Sequence, residues 1–394
     1  MKTRNLIMMT GLGMVALQAH AQSSVTLYGL IDEGLLYNTN SSGKQVASLA
    51  NSNLVGNRWG LKGSEDLGGG LSAIFVLENG FNVTTGTLGQ GGAEFGRQAY
   101  VGIIGNFGKI TLGRQYDPLA EYLSIYSAAA PWASVYAAHP ADLDNLNATK
   151  RTNNAIKFRS PDWMGFSLSA MYGVGGVAGN VTGNSVWSVA VNYIGGPLSA
   201  GVAMVVARDP NYSYWGSNPS ANSATSTSAL NMTSPVISGY ASARTQQIVA
   251  GGGTYKIGNA TLGLVVSDTR LQDIGSETGH GLNPRGIHGG EAVFDTAEIS
   301  FLYRFTPALQ AGIAYQFTTT KSPVDQPDAR YNQFTIGADY FLSKRTDLYA
   351  VATYQRASGV DSTGKAAVAA LASLGSVSSV GKQAVVVLGI RHRF

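Results

Sequence analysis

The chain of 394 residues contains 50 Gly and 19 Tyr but no Cys, and only 13% of its residues are charged. The lack of cysteine excludes a disulfide framework and a thiolate metal centre, and a formal charge of +4 is too small to argue for nucleic acid as a partner. Beyond the N-terminal segment no stretch approaches the roughly 18 consecutive apolar residues of a transmembrane helix, which excludes a helical membrane protein.

At the N-terminus, Lys2 and Arg4 precede an apolar run over residues 6–17 and the small-residue site Ala19-His20-Ala21. This is the pattern of a secretory signal peptide over residues 1–21, too short in its apolar part to anchor the chain. Its removal places the mature start at Gln22 and, with Lys2 and Arg4 gone, reduces the formal charge to +2. An exported chain without helical spans is periplasmic, secreted or an outer-membrane barrel.

From residue 24 onward the dominant period is two. Bulky apolar residues alternate with small or polar ones in Arg58-Trp59-Gly60-Leu61 and from Trp187 to Tyr193. Ile299, Phe301, Tyr303 and Phe305 share one parity, as do Leu309, Ala311, Ile313, Tyr315 and Phe317, and then Phe334, Ile336, Ala338 and Tyr340. Such alternation marks strands with two unlike faces, which fits a sandwich as well as a barrel. Sixteen candidate strands start near residues 24, 54, 71, 94, 109, 150, 165, 186, 198, 244, 260, 293, 309, 331, 347 and 383.

The connections separate the two architectures. Short ones at residues 66–70, 105–108, 161–164, 195–197, 257–259, 306–308 and 342–345 carry Gly, Pro, Asn or Ser turn chemistry. They alternate with long ones such as 117–149, 209–243 and 271–292. Short turns at one rim, long loops at the other and an even strand number describe a bacterial transmembrane β-barrel, one domain over residues 22–394. Tyr172, Tyr193, Tyr315, Tyr340 and Tyr354 fall on the apolar parity as a girdle at headgroup level.

Several blocks carry a family resemblance: Ser24-Val25-Thr26-Leu27-Tyr28-Gly29; residues 58–71, which begin Arg58-Trp59-Gly60-Leu61; Phe95-Gly96-Arg97-Gln98-Ala99-Tyr100-Val101-Gly102; Leu112-Gly113-Arg114-Gln115-Tyr116-Asp117; and Arg391-His392-Arg393-Phe394. The chain resembles the Gram-negative general diffusion porins of the β-proteobacterial type over its whole mature length. The resemblance implies a 16-stranded antiparallel transmembrane β-barrel in outer-membrane lipid, a homotrimer, and a third long loop folded inward to constrict a water-filled channel for small hydrophilic solutes and ions. It also implies that Phe394 is an assembly signal and that no cofactor is needed.

Candidate chemistry then lies in the lumen. Arg58, Arg97 and Arg151 have the parity opposite to their apolar neighbours, and an arginine facing lipid at mid-membrane would cost about 2–4 kcal/mol. By resemblance the three match the basic ladder of the family's constriction, and a ring of fixed positive charge favours anions. The alternative is that they only solvate a wet wall or pair between strands. The long loop at 117–149 carries Asp117, Glu121, Asp142 and Asp144, of which Glu121 and Asp142 are the expected acids facing the basic wall. Asp142-Leu143-Asp144 begins like a calcium loop, but Asn147 and Asn153 stand where an EF-hand needs Gly and Glu. No catalytic or metal residue is expected: the sequence holds no G-x-S-x-G, Walker A or H-E-x-x-H motif. Rival classes are a barrel hydrolase with a rim triad and a loop-borne adhesin or receptor.

Overall fold

The computed structural model describes residues 24–221, 229–276 and 281–394, so the expected signal peptide at residues 1–21 lies outside the described residues. Within them, seventeen strand segments form one closed antiparallel sheet. In chain order they are β1 (Ser24–Ser41), β2 (Lys44–Asn51), β3 (Arg58–Gly68), β4 (Leu71–Gly80), β5 (Gln98–Gly105), β6 (Gly108–Gln115), β7 (Thr152–Arg159), β8 (Phe166–Gly173) and β9 (Val186–Gly195). There follow β10 (Leu198–Arg208), β11 (Thr245–Ile257), β12 (Ala260–Gln272), β13 (Glu291–Thr306), β14 (Leu309–Lys321), β15 (Arg330–Phe341), β16 (Thr346–Ser358) and β17 (Lys382–Arg393). Strand β1 pairs with β17 on one edge and with both β2 and β3 on the other. Segments β2 and β3 lie end to end along that edge, so the seventeen segments make the sixteen staves expected. Closure leaves no backbone edge facing lipid, the condition a spanning sheet has to meet.

Two strand starts differ from expectation, and both differences serve the interior. Instead of a continuous strand from residue 54, residues 52–57 leave the sheet. Asp32 holds this bulge: one carboxylate oxygen accepts from the backbone N–H of Leu54 at 2.7 Å and of Val55 at 3.0 Å, and its own N–H donates to Asn57 Oδ1 at 2.6 Å. Strand β5 begins at Gln98 rather than near 94, because Arg97 turns inward to Glu78.

The outer surface follows the period. Ile299, Phe301, Tyr303 and Phe305 are exposed, while Thr296, Glu298 and Ser300 between and before them are buried. Tyr315 registers with Phe334 and Phe334 with Tyr354, an aromatic row across three staves. The lumen is not wholly polar. At the loop rim Met232, Ile237, Tyr240, Ile274 and Leu143 pack with inward-facing Phe294 and Tyr331, so several long connections share one apolar core above the barrel.

The seam between first and last staves is held on both faces. Gly29 and Phe394 exchange two backbone hydrogen bonds of 3.1 Å. On the lumen side Arg391 reaches Asp347 at 2.7 Å and Asp339 at 3.3 Å. Gly29 is required here because a Cβ would fall 2.2 Å from the Phe394 ring and 2.9 Å from the Arg58 carbonyl oxygen. Gly29→Leu should therefore weaken closure by about 1–3 kcal/mol, the usual cost of overpacking. The expected outcome is a lower temperature for loss of the compact band in detergent gels; an unchanged transition would refute this role of the seam.

Candidate functional site

The third long connection, residues 116–151, begins where β6 ends and turns at once into the barrel. Asp117 caps helix α1 (Pro118–Leu123), accepting from Ala120 N–H at 2.8 Å, with Pro118 in the first turn where its missing N–H is no loss. The apolar face of α1 and the following turn, Leu119, Tyr122, Leu123 and Tyr126, packs on Met171, Ala190, Ala203, Val205, Ile248 and Val265 of the wall from β8 to β12. Further along, Trp132 lies over Gly312 and Gly337 of β14 and β15, where a Cβ would come within 2.9 Å and 3.4 Å of its ring.

Polar bonds fix the same loop to the wall. Glu298 of β13 accepts from Ala128 N–H at 2.6 Å, and Gln316 of β14 donates to the Ala137 carbonyl at 2.9 Å. His139 Nδ1 and Asp144 Oδ2 are 2.6 Å apart, the Ser267 hydroxyl donates to the same Asp144 oxygen at 2.6 Å, and His139 Nε2 lies 3.3 Å from Glu298. Burial alone would push the His139 imidazole down, but Asp144 and Glu298 hold it well above its ordinary value. Burial would likewise raise Asp144, but the imidazolium holds it below the usual carboxylate range.

With the loop on one half of the wall, a cavity of about 550 Å3 remains against the other. Arg58, Arg97, Arg151, Tyr116 and Glu121 line it, together with the bulge at residues 52–57 and Ala120, Ser124 and Ala130 of the loop. Arg97 Nε donates to Glu78 at 2.8 Å, and its Nη2 donates to the Tyr116 hydroxyl at 2.7 Å. Arg151 Nη2 donates to the same hydroxyl at 2.6 Å and Nη1 to the Thr149 carbonyl at 2.8 Å. The Arg58 side chain has no hydrogen-bond or ion-pair partner among the described residues, and neither has Arg151 Nε. Gly56 makes room for Arg97, since a Cβ there would meet its Nη1 at 2.6 Å.

The structure thus brings Arg58, Arg97, Arg151 and Glu121 together around one space. It does not bring Asp142 there. Asp142, the other acid expected to face the basic wall, has a carboxylate that accepts from Asn147 N–H at 2.9 Å and from Thr149 N–H at 3.2 Å and lies 3.7 Å from Lys150, within its own loop. Glu121 reaches the space already paired, 2.5 Å from Lys157 Nζ. Asp117 also accepts from Asn145 and Tyr214, each at 2.9 Å, and Asp144 belongs to the His139 cluster. Glu78 and Tyr116 were not singled out by residue type, although Tyr116 lies inside one of the blocks that carry the family resemblance.

A model of the Gram-negative porin family matches residues 9–360. The chain belongs to the Gram-negative porins. An outer membrane porin protein of Bordetella pertussis is 29% identical over 367 residues, covering 86% of this chain and 90% of that one. Outer membrane porin protein 32 of Delftia acidovorans is 28% identical, with 95% of each chain covered. Among solved structures, an anion-selective porin from Comamonas acidovorans matches with a TM-score of 0.72 at 24% identity, covering 95% of this chain and 100% of that one. OmpT of Vibrio cholerae in its trimer form matches with a TM-score of 0.65 at 14% identity, covering 94% and 99%. The porin is an outer-membrane channel for passive diffusion and not an enzyme.

The His139 cluster ties the third loop to the wall, and its hold depends on pH. A raised imidazole value contributes stability that is complete below the unfolded value near 6.5 and is lost as pH rises through the folded one. A depressed Asp144 contributes stability present above the unfolded carboxyl value and lost as pH falls through the folded one. The latch is therefore closed across neutral pH. His139→Leu leaves two buried carboxylates without their cation, a change that costs about 3–5 kcal/mol. Faster hydrogen exchange of residues 124–146 in an intact barrel is expected, and wild-type exchange rates in the variant would dispose of the latch.

Proposed function

We propose that the cavity beside the third loop is the eyelet of the channel, a basic constriction, and that the porin prefers anions. The observation that carries this is the fate of the loop acids: Asp117, Asp142 and Asp144 are engaged by the loop itself and by Tyr214 and Ser267, and Glu121 is paired with Lys157, while Arg58, Arg97 and Arg151 converge on the open space. At about 4 Å and an effective dielectric near 20, one unpaired charge acts on an ion with about 4 kcal/mol. Glu78 offsets one of the three guanidinium charges, so the local balance stays positive. The similarity to the anion-selective porin from Comamonas acidovorans agrees with this reading.

Planar-bilayer reversal potentials in a dilute KCl gradient test it. The wild type should favour chloride, and Arg58→Gln, Arg97→Gln and Arg151→Gln combined should move the potential toward potassium without closing the channel. Because charges are screened beyond about 10 Å at 0.1 M, the preference should weaken toward 1 M salt. Clear cation selectivity of the wild type in dilute salt would overturn the proposal.

The same reading covers the chain's export and assembly. Residues 1–21 act as a secretory signal and residues 22–394 as a single barrel domain, which assembles as a homotrimer. Phe394, closing the seam over Gly29, acts as the assembly signal. A heat-sensitive trimer in mild detergent is expected, forming more slowly after deletion of Phe394. Light scattering that gave a monomer at every detergent concentration would exclude the trimer.

A further inference from the structure

Tyr116 stands just beyond β6 with its ring beneath Arg151, whose guanidinium carbon lies 4.6 Å from the ring centroid. Its hydroxyl oxygen accepts from Arg97 at 2.7 Å and from Arg151 at 2.6 Å. A phenol has two lone pairs and one proton, so two acceptances exhaust the lone pairs and direct the O–H away from both arginines. We propose that Tyr116 is a positioning and specificity-determining residue of the eyelet, holding two guanidinium groups on one neutral oxygen so that their charge remains available to a permeating anion. The inference rests on the anion-preferring reading above and assigns it a further residue.

Two like charges converge on a shared acceptor only if something offsets their repulsion. A carboxylate would do so strongly but would cancel one of the charges, as Glu78 does for Arg97 at 2.8 Å. A phenol hydroxyl accepts both donors and carries no charge. Arg97 also keeps its bond to Glu78, and Arg151 its bond to the Thr149 carbonyl and its stacking on the ring. Removing the hydroxyl alone therefore frees the two Nη2 ends while the barrel and the ring contact persist.

The same oxygen makes the charge of the site depend on alkaline pH. The groups facing it are Arg151 and Lys157 from the β7 side, Arg97 ahead of β5, Arg58 on β3, Glu78 on β4 with Tyr28 of β1 behind it, Arg114 on β6, and Glu121 on α1. Burial would raise the phenol, but Arg151 first and Arg97 next pull it below its ordinary value. Ionisation cancels one guanidinium charge, and the balance of Arg58, Arg97, Arg151 and Glu78 falls from +2 to +1.

The test compares reversal potentials of wild type and Tyr116→Phe in a dilute KCl gradient, at neutral pH and at about pH 10. At neutral pH the variant should lose up to about a hundredfold in anion-to-cation permeability, the order expected if a unit charge withdraws from about 4 to about 6 Å at a dielectric near 20 and so weakens anion attraction and cation repulsion about tenfold each. The wild type should lose anion preference at the alkaline pH, and the variant should show little further loss. A wild type without anion preference at neutral pH refutes the eyelet reading and this inference with it. A wild type that prefers anions, beside a variant with the same ratio and the same alkaline fall, refutes the Tyr116 inference alone. Should the variant not assemble, the wild-type titration decides. A midpoint below the ordinary lysine value near 10.4 supports the inference, and a preference constant to about pH 10 overturns it.

Discussion

Attachment of the third long loop to one half of the lumen is the constraint on which the rest of the site depends. A barrel of sixteen staves is wide enough to leave an aqueous channel unless something fills it. Here the filler is α1 and the chain behind it, joined to β8 through β15 by apolar packing and by bonds from Glu298, Gln316 and Ser267. Because that half is occupied, the open space is forced against β3 through β7, the staves whose inner ends carry or adjoin Arg58, Arg97 and Arg151. The small side chains opposite, Ala120, Ser124 and Ala130, neither block the space nor charge it.

Electrostatics and packing are coupled through the loop acids. An inward loop that carried free carboxylates would set up a field between two charged walls. In this chain the acids serve as structural acceptors instead: Asp117 caps a helix and holds Asn145 and Tyr214, Asp142 holds the turn at residues 147–149, and Asp144 holds His139. Buried carboxylates are stable only when such partners satisfy them. The loop's rigidity and the absence of its three aspartates from the eyelet are one arrangement, since the same oxygens cannot both cap the loop and face the ions.

Much of the barrel was legible because its signals are local and repeated. Period-two alternation, short turns such as Gly196-Pro197 and the alternation of loop lengths located most strands to within a few residues, and parity assigned Arg58, Arg97 and Arg151 to the interior. The division of the second stave was not legible, because it depends on Asp32 reaching residues 54 and 55 across the sheet, a contact with no sequence period. For the same reason composition could not tell Asp142 from Glu121. Both are acids on one loop, and only the fold decides which points at its own backbone. The apolar core above the barrel was hidden as well, since Phe294 and Tyr331 take the lumen parity that the period reserves for polar residues.

A cluster of three arginines, two of them buried, is a liability for folding, and its surroundings show how that liability is limited. Local rules of burial favour pairing each cation, and departures from such rules concentrate at functional sites. Glu78 neutralises part of Arg97, and the backbone carbonyl of Thr149 and the Tyr116 ring support Arg151 without neutralising it. Gly56 removes a side chain where Arg97 has to lie, and the bulge that places Gly56 is held by Asp32. The supports are neutral or remote, with the single exception of Glu78. Such a pattern keeps the guanidinium groups fixed in position yet incompletely compensated, which a structural ion-pair network does not require and an anion path does.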